Sequence, residues 1–160
     1  MTAPAESADA LIARAHAAAD ADDHTTALRL LKEGAETHPA RPDIAYALGV
    51  EYAHLELFDA AEAQMQRALT LDADRHEARF HLGLLLVTRS HFEEAMQIWA
   101  PLETLPETHA LHSYKQAFDA LSEDHFGPAR ERIDMGLKAK GSSPALDEQM
   151  RRLRDSLPPA

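Results

Sequence analysis

Carried along the chain in steps of 34 residues, one pattern of small and bulky apolar side chains keeps landing on itself. Between His76 and Leu105, Leu82-Gly83 is followed by Phe92, Ala95, Trp99 and Leu102, with Pro106 just beyond. One step back, Leu48-Gly49, Phe58, Ala61, Met65 and Ala68 fill the same slots; one step forward, Ala117, Phe126, Ala129, Ile133 and Gly136 do. Two steps back the pattern thins to His24, Ala27, Leu31 and Gly34, with Pro39 near the end. A period of this length is one supersecondary unit, too short to bury its apolar face alone, so successive units must stack. The chain is therefore expected to be all-α, a stacked array of helix-turn-helix units.

Taken in order, residues 1–7 read as a flexible polar tail and Ser7 as the N-cap of a first helix running to Ala19. Acidic residues at 20, 22 and 23 mark the first turn, and Ala27, Leu28, Leu31 and Ala35 make one face of the partner helix. Pro39 and Pro42 close that hairpin, since proline ends one helix and is accepted in the first turn of the next. The units follow at about 8–41, 42–75, 76–109 and 110–143. Ser90 and Glu93 fit a capping box at the third turn. In the fourth unit Gly127 and Pro128 predict a second helix whose start is loose or displaced by a residue or two. Ser143-Pro144 then opens a terminal helix on residues 144–160, with Leu146, Met150, Leu153 and Leu157 as its apolar stripe. Asp147, Glu148, Arg151, Arg152 and Arg154 are placed on its outer face, as a cap over an exposed core requires.

These residues resemble the tetratricopeptide repeat family across roughly 8–143. Leu82, Gly83, Phe92, Ala95, Trp99 and Pro106 meet its pattern best, followed by Leu48, Gly49, Tyr52, Phe58 and Ala61. The resemblance implies about four repeats in a right-handed superhelix, the first helix of each lining a concave groove, with residues 144–160 as a C-terminal capping helix. Transferring the register places Ile12, Tyr46, Phe80 and Tyr114 in one groove row and His16, Val50, Leu84 and Phe118 in the next. Asp20, His54, Thr88 and Ser122 fall on the rim, with Asp43 and Glu77 near the helix starts. Tyr46, Val50, His54, Phe80, Leu84, Tyr114 and Phe118 are thus the expected partner-binding residues. The implied activity is non-enzymatic: an adaptor or scaffold holding a peptide segment of another protein. The alternatives are a small tetratricopeptide chaperone of the bacterial secretion type and a self-associating subunit. One branch of the family clamps acidic tails through lysine, arginine and asparagine, but this chain has no asparagine and its groove slots are apolar, acidic or small.

Charge points the same way. The net charge of -11 opposes nucleic acid, whose phosphates supply most non-specific affinity, and favours a partner with basic flanks. With no cysteine there is neither disulfide framework nor thiolate nucleophile. The N-terminal stretch lacks the basic and apolar regions of a signal peptide, so a cytoplasmic protein without membrane insertion is expected. His76 and His81 stand five apart, about 140° from one another around a helix, the wrong spacing for two ligands of one ion. His109 and His112 have helical spacing but no evident third ligand. No phosphate loop, nucleophile elbow or dinucleotide fingerprint is present, so neither cofactor nor metal is expected.

Overall fold

The computed structural model describes residues 6–159, so most of the expected flexible tail lies outside the described residues. Nine α-helices and no strands are found among them. The first helices of the four repeats are α1 (Ala8–Asp20), α3 (Pro42–His54), α5 (His76–Thr88) and α7 (Ala110–Ser122). Their partners are α2 (His24–Thr37), α4 (Phe58–Leu71), α6 (Phe92–Trp99) and α8 (Phe126–Lys138), and α9 (Pro144–Ser156) closes the chain. Every start lies 34 residues from its predecessor, and α9 keeps the same step after α7. The terminal helix thus keeps the phase of a first helix.

Each first helix ends in the same turn. Asp22, Glu56, Ser90 and Asp124 all have positive φ, between 58° and 63°. The N–H groups of Asp23, Leu57 and His125 reach back to the carbonyls of Ala18, Tyr52 and Ala120 at 2.8–2.9 Å, the long bond of a Schellman motif. Ser90 is therefore the left-handed turn residue and not a capping serine: α6 is capped at His91 without a side-chain bond. Left-handed backbone costs an ordinary L-residue roughly 1–2 kcal/mol, part of which glycine's unfolded-state freedom takes back. Glu56→Gly is accordingly expected to raise stability by about 0.5–1 kcal/mol in urea unfolding. A loss would mean that the Glu56 side chain stabilises the turn.

The caps at Ser7 and Ser143 form as expected, accepting the N–H groups of Ala10 and Leu146 at 3.2 Å each. One local expectation is corrected. Helix α8 starts in register at Phe126, because Pro128 falls in the first turn, where its missing N–H has no intrahelical acceptor to lose. Helix α6 stops after eight residues and continues as a 3-10 turn, Ala100–Thr104. Pro101 is the cause, since it cannot bond to the carbonyl four residues back.

The chain divides into two compact units, one ending at Arg89 and the other beginning at Ser90. In the first, Leu11, Leu30, Leu31, Ile44 and Leu48 form a core with Ala8, Ala15, Ala27 and Ala47. Close approach of α3 and α4 depends on Gly49, where a Cβ would stand 2.9 Å from the Met65 methyl. In the second, Trp99, Leu102, Leu111, Tyr114, Ile133, Leu146 and Met150 are essentially sealed from solvent.

Candidate functional site

The expected partner-binding residues of the first unit lie on α3 and α5. Tyr46, Val50 and His54 follow one another at one-turn intervals along α3, and Phe80 and Leu84 hold the matching positions on α5. Tyr46 and His81 join the two helices: the phenol oxygen lies 3.4 Å from His81 Nδ1, with ring centroids 5.4 Å apart. The Arg75 guanidinium stands 5.9 Å from the Tyr46 ring centroid. Burial, helped by the negative charge of Glu77, raises the Tyr46 pKa, so the phenol keeps its proton. Burial likewise pushes the His81 imidazole down to about 4, leaving it neutral at pH 7. We assign the tyrosine hydroxyl as donor to Nδ1, which puts the imidazole proton on Nε2, an atom with no hydrogen-bond partner among the described residues. Tyr46, Val50 and Leu84 are half-buried and His54 is exposed, and the Tyr46–His81 pair they accompany is neutral.

His54 is held from behind. Its ring stacks on His24 at 4.8 Å, and His24 Nδ1 lies 2.8 Å from a carboxylate oxygen of Glu51, whose side chain is only 7% exposed. Asp22 approaches the other His24 nitrogen at 3.5 Å. The hydrogen bond to Glu51 is the chief reason that the His24 pKa is raised above 6.5. A histidine raised on folding contributes stability that is fully present below its unfolded pKa and lost as pH climbs through the folded one. Wild type is therefore expected to lose stability relative to Glu51→Gln between about pH 6 and about pH 9, since the opposite contribution of His81 is common to both, in urea midpoints measured at both values. Equal losses would leave His24 without a part in the pH dependence.

In the second unit, Phe118 is half-buried with its ring 4.6 Å from Trp99. One turn away, Lys115 is a buried cation, its side chain 6% exposed, bonded to both Asp119 oxygens at 2.8 and 2.9 Å and to Glu103. Burial alone would lower its pKa, but hydrogen bonds to Asp119 and Glu103 outweigh that and the net shift is upward. Lys115 therefore stays charged, neutralised within its own unit.

Two of the expected contacts are closed. Phe80 and Tyr114 are 0% exposed. Phenylalanine has no polar tip to keep in water, and burial of so large a ring is strongly favourable. Tyr114 packs its ring closely against Gly136 and donates its hydroxyl to Asp147 of α9 at 2.5 Å. Asp147 consequently faces inward, against the expectation that it belongs to the outer face of the terminal helix. Sequence reasoning also missed His81, Glu51 and Lys115. His81 had been weighed only as a metal ligand, and charged side chains such as Glu51 and Lys115 are ordinarily taken as exposed. His109 caps α7, its Nδ1 accepting the Leu111 N–H at 3.1 Å. No group of three or more His, Asp or Glu side chains able to hold a metal occurs among the described residues.

With the period and helix pairs in place, the comparison with solved structures is decisive for the fold. MamA from Desulfovibrio magneticus RS-1 superposes with a TM-score of 0.66 at 17% identity, covering 96% of this chain and 88% of that one. YrrB, described as a TPR protein with an unusual peptide-binding site, gives 0.62 at 20% identity over 91% of this chain and 75% of its own. This is the tetratricopeptide repeat fold. PilF of Pseudomonas aeruginosa is similar too, at 0.68 and 17% identity, over 94% of this chain and 73% of that one. No family model and no curated protein matches the sequence, so the tetratricopeptide likeness is one of architecture. None of the described helices of this repeat array is long and apolar enough to cross a membrane.

Proposed function

We propose that the protein is a non-enzymatic interaction module that holds a segment of another polypeptide on the first-helix face of its N-terminal unit. Tyr46, Val50, His54 and Leu84 make the contacts, and Phe80 supports them from beneath. Tyr114 and Phe118 play the corresponding structural and contact parts in the second unit. The observation that carries the reading is the apolar strip Tyr46, Val50 and Leu84, half-buried and spread over two adjoining first helices. Rigid amphipathic tyrosine in such a setting is a typical anchor for a partner chain. The peptide-binding site described for YrrB, a protein of the same fold, supports it. Residues 1–89 carry 15 Asp+Glu against 8 Lys+Arg, so the preferred segment has basic residues beside its apolar anchors.

Selection of peptides from a random display library on the purified chain tests this. The selected sequences are expected to combine apolar and basic residues. Their binding should weaken at least about tenfold in Tyr46→Ala/Leu84→Glu and stay unchanged in Arg29→Glu, a substitution of an exposed residue on α2. Full affinity in a correctly folded double variant would refute the assignment.

A further inference from the structure

The 34-residue register makes the four interhelix turns directly comparable, and one of them breaks the common chemistry. The residue closing each first helix is Ala21, Leu55, Arg89 or Glu123, and the N-cap of each second helix is Asp23, Leu57, His91 or His125. Only the second turn carries leucine at both places, and both are open to solvent, Leu55 at 42% and Leu57 at 50%. Leucine is among the poorest N-cap residues. In the first turn Asp23 accepts the Thr26 N–H at 3.1 Å, whereas α4, α6 and α8 all start without a side-chain cap bond, and of their three N-caps Leu57 alone is apolar. The chain forgoes a stabilising bond at Leu57 and exposes an apolar side chain instead, a local violation of the kind that marks functional surface.

The surroundings define what the leucines meet. Glu56, Leu57, Phe58, Asp59, Ala60 and Arg89 wall an open recess of about 420 Å³ beside the turn. Arg89 is engaged by Asp59 at 2.6 Å and Glu62 at 2.7 Å. Two carboxylates thus share one guanidinium and Glu56 on the same wall adds a third negative charge, so the recess is net acidic, with the Asp59 side chain 92% exposed. A second copy of the chain docking symmetrically here would set these carboxylates against their own counterparts. A basic partner would gain from them.

We infer that the Leu55–Leu57 turn is a second docking surface, separate from the Tyr46 face, for a short apolar segment of another protein that carries lysine or arginine beside its apolar residues. One apolar side chain enters the recess against Leu57 and Phe58, and the flanking cation lies near Glu56 and Asp59. The glutamate in left-handed conformation, φ 58°, holds the two leucines apart at the tip of the turn.

The test uses the full chain and a fluorescent peptide in which paired leucines are flanked by lysines, with a glutamate-for-lysine version as its counterpart. Anisotropy titration is expected to show saturable, salt-sensitive binding of the lysine peptide only. Leu57→Ser should weaken it at least about tenfold while raising the urea midpoint, because serine restores the missing cap without changing the charge. The titration is made in the Tyr46→Ala/Leu84→Glu background, where the first-helix face no longer contributes, so that binding which remains there and falls in Leu57→Ser belongs to this surface. No binding in that background, unchanged affinity in Leu57→Ser, or equal binding of the glutamate peptide would each overturn the inference. So would light scattering in which the wild-type chain self-associates and Leu57→Ser does not, since the occupant would then be a second copy.

Discussion

Trp99→Ala is expected to lower stability by about 3–5 kcal/mol, the range for removing a fully buried indole. Trp99 is 0% exposed and ends α6 at the point where Pro101 converts the helix to a 3-10 turn. Leu102 of the turn is sealed as well, so the indole lies inside the packed core of this unit. The Phe118 ring, which lies at 44° to the indole, loses its platform. Trp99→Phe keeps most of the apolar volume and should cost about half as much or less. Circular dichroism in urea measures both. A loss below about 1 kcal/mol for Trp99→Ala would show that the indole is not a core element of the second unit.

Gly136→Ala is the second large effect. A Cβ at this position would stand 2.3 Å from Tyr114 Cε1 and 2.5 Å from Cδ1, well inside contact distance. The ring cannot slide away cheaply, since its hydroxyl is committed to Asp147 on α9. Overpacking of a sealed site generally costs about 1–3 kcal/mol, and the tether puts this case at about 3 kcal/mol. The collision is with one side chain, so Gly136→Ala and Tyr114→Leu should be strongly non-additive: the double variant should lose less than the sum of the singles. Trp99, the chain's single tryptophan, lies in the same unit and reports the transition by fluorescence. Additive losses would place the strain elsewhere.

What could be read from the sequence was whatever the packing repeats. Small residues at Ala61, Ala95 and Ala129 and bulky ones at Met65, Trp99 and Ile133 return in phase because every helix pair meets the same steric demand, and all six are buried. The turns were legible in place but not in chemistry. Their left-handed residues are Asp, Glu, Ser and Asp, so no glycine announces the positive φ, and Ser90 imitated a cap. Depth was not legible: a register says toward which side Phe80 and Tyr114 start, while neighbours remote in sequence decide whether they stay open. For Tyr114 those neighbours are Gly136 and Asp147, more than twenty residues away. The same holds for Lys115, whose burial becomes tolerable only through Glu103 and Asp119. Tyr46 survives as a candidate contact because its hydroxyl meets His81 at the border of the apolar strip.

The most direct measurement is an amide chemical-shift map of the chain saturated with a library-selected peptide. Occupation of the first-helix face predicts that the largest changes fall at Tyr46, Val50, His54 and Leu84, with the second helices α2 and α4 little affected. Changes confined to α2 and α4, with α3 and α5 silent, would contradict it.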